Sequence, residues 1–184
     1  MRINPIHRPS LDSIAADAAP DVDYIKAIVK YIETHFLNKV GIPPAFFYCK
    51  DDEMKLIKVP TEFLNSDKGK EELSYLMEAA VKSFEPDSHC FISESWVYKM
   101  PNFENQEEAF KALDAFKAGD TTTGIERSEV VTLSFSQINP DKSVERWLGT
   151  MSFERGTDDM ISKFNPIGWI KADGDKKLAG RFVV

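Results

Sequence analysis

The sequence is short of the residues that carry most metal and nucleophile chemistry. It has two cysteines, Cys49 and Cys90, and three histidines, His7, His35 and His89, scattered through 184 residues. A structural zinc site needs four such ligands in close spacing, so this set argues against one. His89 adjoins Cys90, but neighbours on a strand point to opposite faces, which rules the pair out as nucleophile and base. His35, near the end of a helix, suits the negative end of the helix dipole. The phosphate-cradling, dinucleotide, hydrolase-elbow and zincin signatures are all absent. No cofactor and no metal are therefore expected.

Positive charge is also in the minority. Lys and Arg total 23 against 30 Asp and Glu, a net charge of −7. That balance argues against nucleic-acid backbones and anionic membranes as partners. No run approaches the ~20 apolar residues of a membrane span. Residues 1–20 lack the apolar core of a signal peptide. The expected location is cytoplasmic, and both cysteines read as small buried thiols in a reducing compartment.

What is present is an aromatic-rich core. Hydrophobic residues make up 42% of the chain, with 13 Phe and 3 Trp, enough to bury a single domain without staples. Two alternating runs, Ser128–Ile138 and Val144–Arg155, flank the turn Asn139-Pro140-Asp141-Lys142. Alignment puts Val131, Leu133 and Phe135 on one face with Trp147, Met151 and Phe153. Ser128, Thr132, Ser134 and Ser136 fall on the other with Arg146, Thr150, Ser152 and Glu154. The expectation is an antiparallel hairpin with one apolar and one polar face.

Elsewhere the pattern predicts a helix after Pro20, capped by Asp21, with Val22, Ile25, Ile28, Val29, Ile32 and Phe36 as its stripe. A short hairpin over Ala45–Lys50 and Met54–Val59 follows. A helix over Lys70–Phe84 shows Leu73, Leu76, Met77, Ala80, Val81 and Phe84. A strand over His89–Tyr98 comes next, then a helix over Phe103–Ala118, capped by Asn102, burying Phe110, Leu113 and Phe116. Residues after Gly156 are less regular. A last pair, Ile167–Lys171 and Leu178–Val183, brackets Asp173-Gly174-Asp175, which reads as a turn because the rest of a calcium loop is missing. The sum is a single α+β domain over residues 21–184, preceded by an N-terminal arm, residues 1–20. Its sheet is largely antiparallel, of about six or seven strands, with about three helices packed on one face.

The candidate site lies on the strand His89–Tyr98. Alternation groups Glu94 with Trp96 and Tyr98, and a buried carboxylate needs a partner. Arg127 and Arg146 are the natural candidates, with Arg181 next. Glu129 falls on the apolar face of the hairpin, with Arg127 or Arg155 in reach. Two readings compete for Glu94: a sheet-margin ion pair, or a ligand-binding carboxylate beside an arginine and an aromatic wall. The run Ser93-Glu94-x-Trp96, followed by Arg127-x-Glu129-Val130-Val131 and by Leu148-Gly149-Thr150-Met151, resembles small uncharacterised proteins of bacterial and prophage genomes. The resemblance spans about the middle third of the chain and implies no activity.

Function divides the same way. Val130, Ile138, Val144 and Leu148 interrupt the polar hairpin face, and Arg181-Phe182-Val183-Val184 is a potential open edge. Both favour a non-catalytic binding or assembly protein that pairs with itself or a protein partner through its sheet. The alternative is a small-molecule-binding protein or enzyme using Glu94, Trp96, Tyr98, Arg127, Glu129 and Arg146 at one end of the sheet.

Overall fold

The computed structural model describes residues 19–171, Asp21 and Asp52 excepted. Almost all of the expected arm, the cap Asp21, the turn Asp173-Gly174-Asp175, the strand Leu178–Val183 and Arg181 lie outside the described residues. The rest is an α+β domain built on a curled, half-barrel antiparallel sheet with three helices. Its elements run α1 (Asp23–His35), β1 (Ala45–Lys50), β2 (Glu53–Lys58), α2 (Asp67–Phe84), β3 (Ser88–Lys99), α3 (Gln106–Lys117), β4 (Glu126–Ile138), β5 (Val144–Arg155), β6 (Ile161–Phe164) and β7 (Gly168–Lys171). The strand order is β2-β1-β3-β4-β5-β6, with β7 also paired to β5. No helix is long and apolar enough to cross a membrane among the described residues.

The long hairpin forms as its alternation predicts. Val131 pairs with Met151 and Phe135 with Trp147, while Thr132 pairs with Thr150 and Ser136 with Arg146. The apolar face continues through Cys90 and Ile92 of β3, which pair with Phe135 and Leu133, and through Phe47 of β1, opposite Cys90. Against it lies α1. Its Ile25, Ile28 and Ile32 are 3%, 1% and 0% exposed, and each contributes about 1.5–3 kcal/mol over an exposed position. The N-cap of α1 falls on Val22, with no side-chain cap; the apolar stripe, not the cap, holds this helix.

The helices do not share one face. Phe46 and Phe91 neighbour Phe47 and Cys90 in sequence, so strand parity sends them to the opposite side of the sheet. There they form a second core with Val59, Leu73 and Met77 under α2. The sheet carries bulky residues on both sides at its β1–β3 end, so it needs a helix on each. Helix α2 starts earlier than its stripe suggests, at Asp67 after the N-cap Ser66, whose Oγ accepts the Gly69 N–H at 3.0 Å. Helix α3 is capped by Asn105 rather than Asn102; the Asn105 Oδ1 accepts the Glu108 N–H at 2.9 Å. None of its residues is buried, and Phe110 is 55% exposed. Of the expected buried edge of α3, Phe110 is exposed, while Leu113 and Phe116 are partly buried.

The irregular stretch after Gly156 supplies β6, whose Ile161 is fully buried. Trp169 on β7 sits directly opposite Gly149. A Cβ at Gly149 would meet the Trp169 ring at 2.7 Å, so only glycine lets the indole lie flat on the sheet. Gly149→Val is expected to lower stability by about 1–3 kcal/mol, the usual cost of overpacking, in urea denaturation. An unchanged midpoint would mean that Trp169 does not pack on this position.

Candidate functional site

Strand parity carries Glu94, Glu129 and Arg155 onto the α1 face, just past the last apolar layer. Glu94 lies opposite Val131 and Glu129 opposite Trp96, so the two carboxylates are diagonal neighbours on β3 and β4. Arg155 enters from β5 where the β5–β6 register shifts between Glu154 and Arg155. An irregularity of this kind re-aims a side chain and sharpens the local twist.

The guanidinium is fully engaged. Its Nε donates to Glu129 Oε2 at 2.7 Å and an Nη2 hydrogen to Glu129 Oε1 at 3.2 Å, a bidentate fork. Nη2 also donates to Glu94 Oε1 at 3.1 Å. Nη1 donates to the Asp159 carbonyl at 2.9 Å and to the Val40 carbonyl. Arginine has five N–H donors, and these five acceptors take them all. The other Glu94 oxygen accepts the Ile42 N–H at 3.1 Å. Side-chain exposures of 18% for Arg155, 30% for Glu94 and 20% for Glu129 put the cluster at a margin, partly shielded from water. Hydrogen bonding to Glu129, and the charges of Glu129, Glu94 and Asp159, raise the affinity of Arg155 for its proton.

Glu94 therefore pairs with Arg155, not with Arg127 or Arg146. Parity with Met151 and Phe153 puts Arg155 on the apolar face, as the sequence shows, but does not by itself choose it over Arg127. Arg127 instead lies over the Trp96 ring, its Cζ 3.9 Å from the centroid. Tyr98 meets the Phe116 ring edge-on at 6.0 Å. These four residues sit together at the outer end of β3 and β4. Arg146 stands apart. It pairs with Ser136 on the other face, seven residues along β4 from Glu129, about 20 Å at the usual strand rise.

Three clefts among the described residues are lined without Glu94, Glu129 or Arg155. One of them, about 520 Å3, is lined by Val81, Glu85, Asp87, Ile138, Asn139 and Lys142 among others, and none of the six candidate residues borders it. Among the described residues no three His, Cys, Asp or Glu side chains gather to hold a metal ion. Cys49 and Cys90 form no disulfide and are buried, and burial raises the Cys90 thiol well above its ordinary range. It is an inert thiol, not a nucleophile.

His89 is also buried, its ring 5.5 Å from that of Phe46. Burial, aided by the charge of Arg146, lowers its pKa from 6.5 to about 4. Comparison with family models, curated proteins and solved structures finds no match. The site is therefore read from its own chemistry.

Two outcomes follow from this chemistry. Arg155→Met leaves two half-shielded carboxylates and two carbonyls without their donor. The expected loss is about 2–4 kcal/mol in urea denaturation, at or below the lower part of the range for a broken buried pair because the cluster is partly hydrated. A loss under ~0.5 kcal/mol would mean that the pair is ornamental. For His89 the folded pKa is depressed, so the unfolded chain binds the extra proton. Its contribution is constant above pH 6.5 and is lost as pH falls towards 4, by about 3 kcal/mol. In His89→Gln that part of the acid slope should vanish from denaturation curves taken between these pH values; an unaltered slope would assign it to other groups.

Proposed function

We propose that this protein is a non-catalytic binding or assembly protein that associates with further copies of itself through its sheet, in a reducing, cytoplasmic compartment. The observation that carries the first half is the saturated guanidinium. A ligand-binding arginine keeps a donor free, and each Arg155 donor already has an acceptor within the chain. Glu94 likewise has both oxygens occupied. The six residues that the sequence groups into one site are divided between a closed cluster, an exposed Arg127–Trp96 stack and a distant Arg146.

The second half is supported by surface left open. Trp96 is 47% exposed and Phe110 55% exposed. Trp96 lies near the outer end of the β3–β4 ribbon, where Tyr98 meets Phe116 of α3, the helix that carries Phe110. Large apolar side chains gathered at one end of a sheet mark an interaction surface more often than scattered ones do. Two buried thiols that form no disulfide are in keeping with a reducing compartment.

Sedimentation velocity across a concentration series tests the reading. The expected result is a species of dimer mass or larger whose proportion grows with concentration. A lone monomer at the highest soluble concentration would contradict it.

A further inference from the structure

We infer that the outer edge of β3, from Ser95 to Lys99, pairs antiparallel with the same edge of a second copy, across a twofold axis at Val97. The inference rests on the self-association proposed above and names the contact that makes it.

The edge is open for a reason visible in the sequence. β1 pairs with β3 only as far as Ala45 opposite Ile92. Before Ala45 stand Pro43 and Pro44, which have no N–H to donate and cannot extend a ladder. The chain stays beside β3 one step further, where the Ile42 N–H reaches the Glu94 carboxylate, and then departs. β3 continues to Lys99, held by β4 on its other side through Tyr98–Arg127 and Lys99–Glu126. Among the described residues no strand pairs the remaining edge. Trp96 and Lys99 are exposed there, and Ser95, Val97 and Tyr98 are half-buried.

Symmetry fixes the register. Two copies of one edge that continue a sheet are related by a twofold axis normal to it, so apolar face meets apolar face. Side chains alternate with period two, so residues directly opposite must have the same parity. The axis therefore passes through a residue, not between two. Val97 is the middle of the open stretch, and centring there uses all of it. Trp96 then lies opposite Tyr98 of the second copy, twice, an aromatic cross-strand pair of the stabilising kind. Ser95 lies opposite Lys99, and Val97 opposite itself. No like charges meet, and the nearby Lys99, Arg127 and Glu126 nearly balance, although the chain as a whole carries −7. Centring on Lys99 would oppose two lysines.

The open edge of β2 is guarded. β2 carries Lys55 and Lys58, which differ in parity and so place a charge on each face, the usual protection of an edge strand. The stretch Ser95–Tyr98 has no charge at all.

A cysteine at the axis reads the contact directly. Residues directly opposite in an antiparallel ladder have Cα atoms about 4.5–5.5 Å apart, inside the ~4.4–6.8 Å span of a disulfide. Both native cysteines are buried, so in the full chain Val97→Cys supplies the one accessible thiol among the described residues. Under diamide it should convert to covalent dimer, whereas Leu56→Cys on β2 should not. Val97→Lys, which sets two ammonium groups face to face, should weaken dimerisation roughly tenfold in sedimentation with the circular dichroism spectrum unchanged. Three results overturn the inference. The wild type dimerises but Val97→Cys does not cross-link, placing the contact elsewhere and leaving the broader reading intact. Leu56→Cys cross-links instead, assigning it to β2. The thiol introduced by Val97→Cys resists alkylation in a monomer, so the chain's own terminal residues cover the edge, and both readings fall.

Discussion

Arg155 joins four stretches of chain that are distant in sequence. Its donors reach Glu94 on β3, Glu129 on β4, the Val40 carbonyl between α1 and β1, and the Asp159 carbonyl before β6. Through Glu94 it also fixes the Ile42 amide. Just before, Asn38 and Lys39 exchange backbone hydrogen bonds with Ile161 at 2.9 and 2.8 Å. The segment that returns the chain from α1 to the sheet is thereby pinned on both sides. The position of α1 over the apolar face, and the starting point of β1, depend on that closure. A partly buried ion pair is weak evidence of net stability by itself, since desolvation offsets much of the attraction. Its value here is specificity of connection: one planar group with five fixed donors admits one arrangement of four segments.

The sheet is differentiated along its length as well as across it. At the β1–β3 end it is buried on both faces, under α1 and α2. Farther along, the face opposite α1 turns to small hydroxyl residues. Ser93 and Ser95 bond to the Thr132 hydroxyl at 3.1 and 3.2 Å, and that hydroxyl reaches the Ser93 carbonyl. This local network satisfies polar groups without a helix over them. Among the described residues, neither core nor network remains at the outer end of β3 and β4, and only α3 stands near. The progression from double cover to open edge is what singles out residues 95–99.

Much of this order is legible in the residues. The two faces of the β4–β5 hairpin follow from alternation alone, because a register slip would turn Trp147 and Phe153 outwards. The stripes of α1 and α2 located those helices. The assignment of helices to a single face failed because adjacent Phe46-Phe47 and Cys90-Phe91 mark strands buried on both sides, where alternation carries no signal. Helix α3 shows the converse: Phe110, Leu113 and Phe116 have helical spacing, but spacing does not say that a surface exists to cover them. For the site, parity placed Glu94, Glu129 and Arg155 on one face, and what it left open was which arginine closes the distance. That choice is made by the irregularity after Glu154, a backbone feature without a sequence mark. Separating Arg146 from the cluster required the strand register.

The most direct test is a double-mutant cycle between Arg155 and Glu129, measured by urea denaturation of Arg155→Met, Glu129→Gln and the double variant. If the fork closes the fold as described, the single losses will fail to add, with a coupling of about 1.5–3 kcal/mol. Additive losses, with coupling near zero, would show that the two side chains act independently and that something else holds the four segments together.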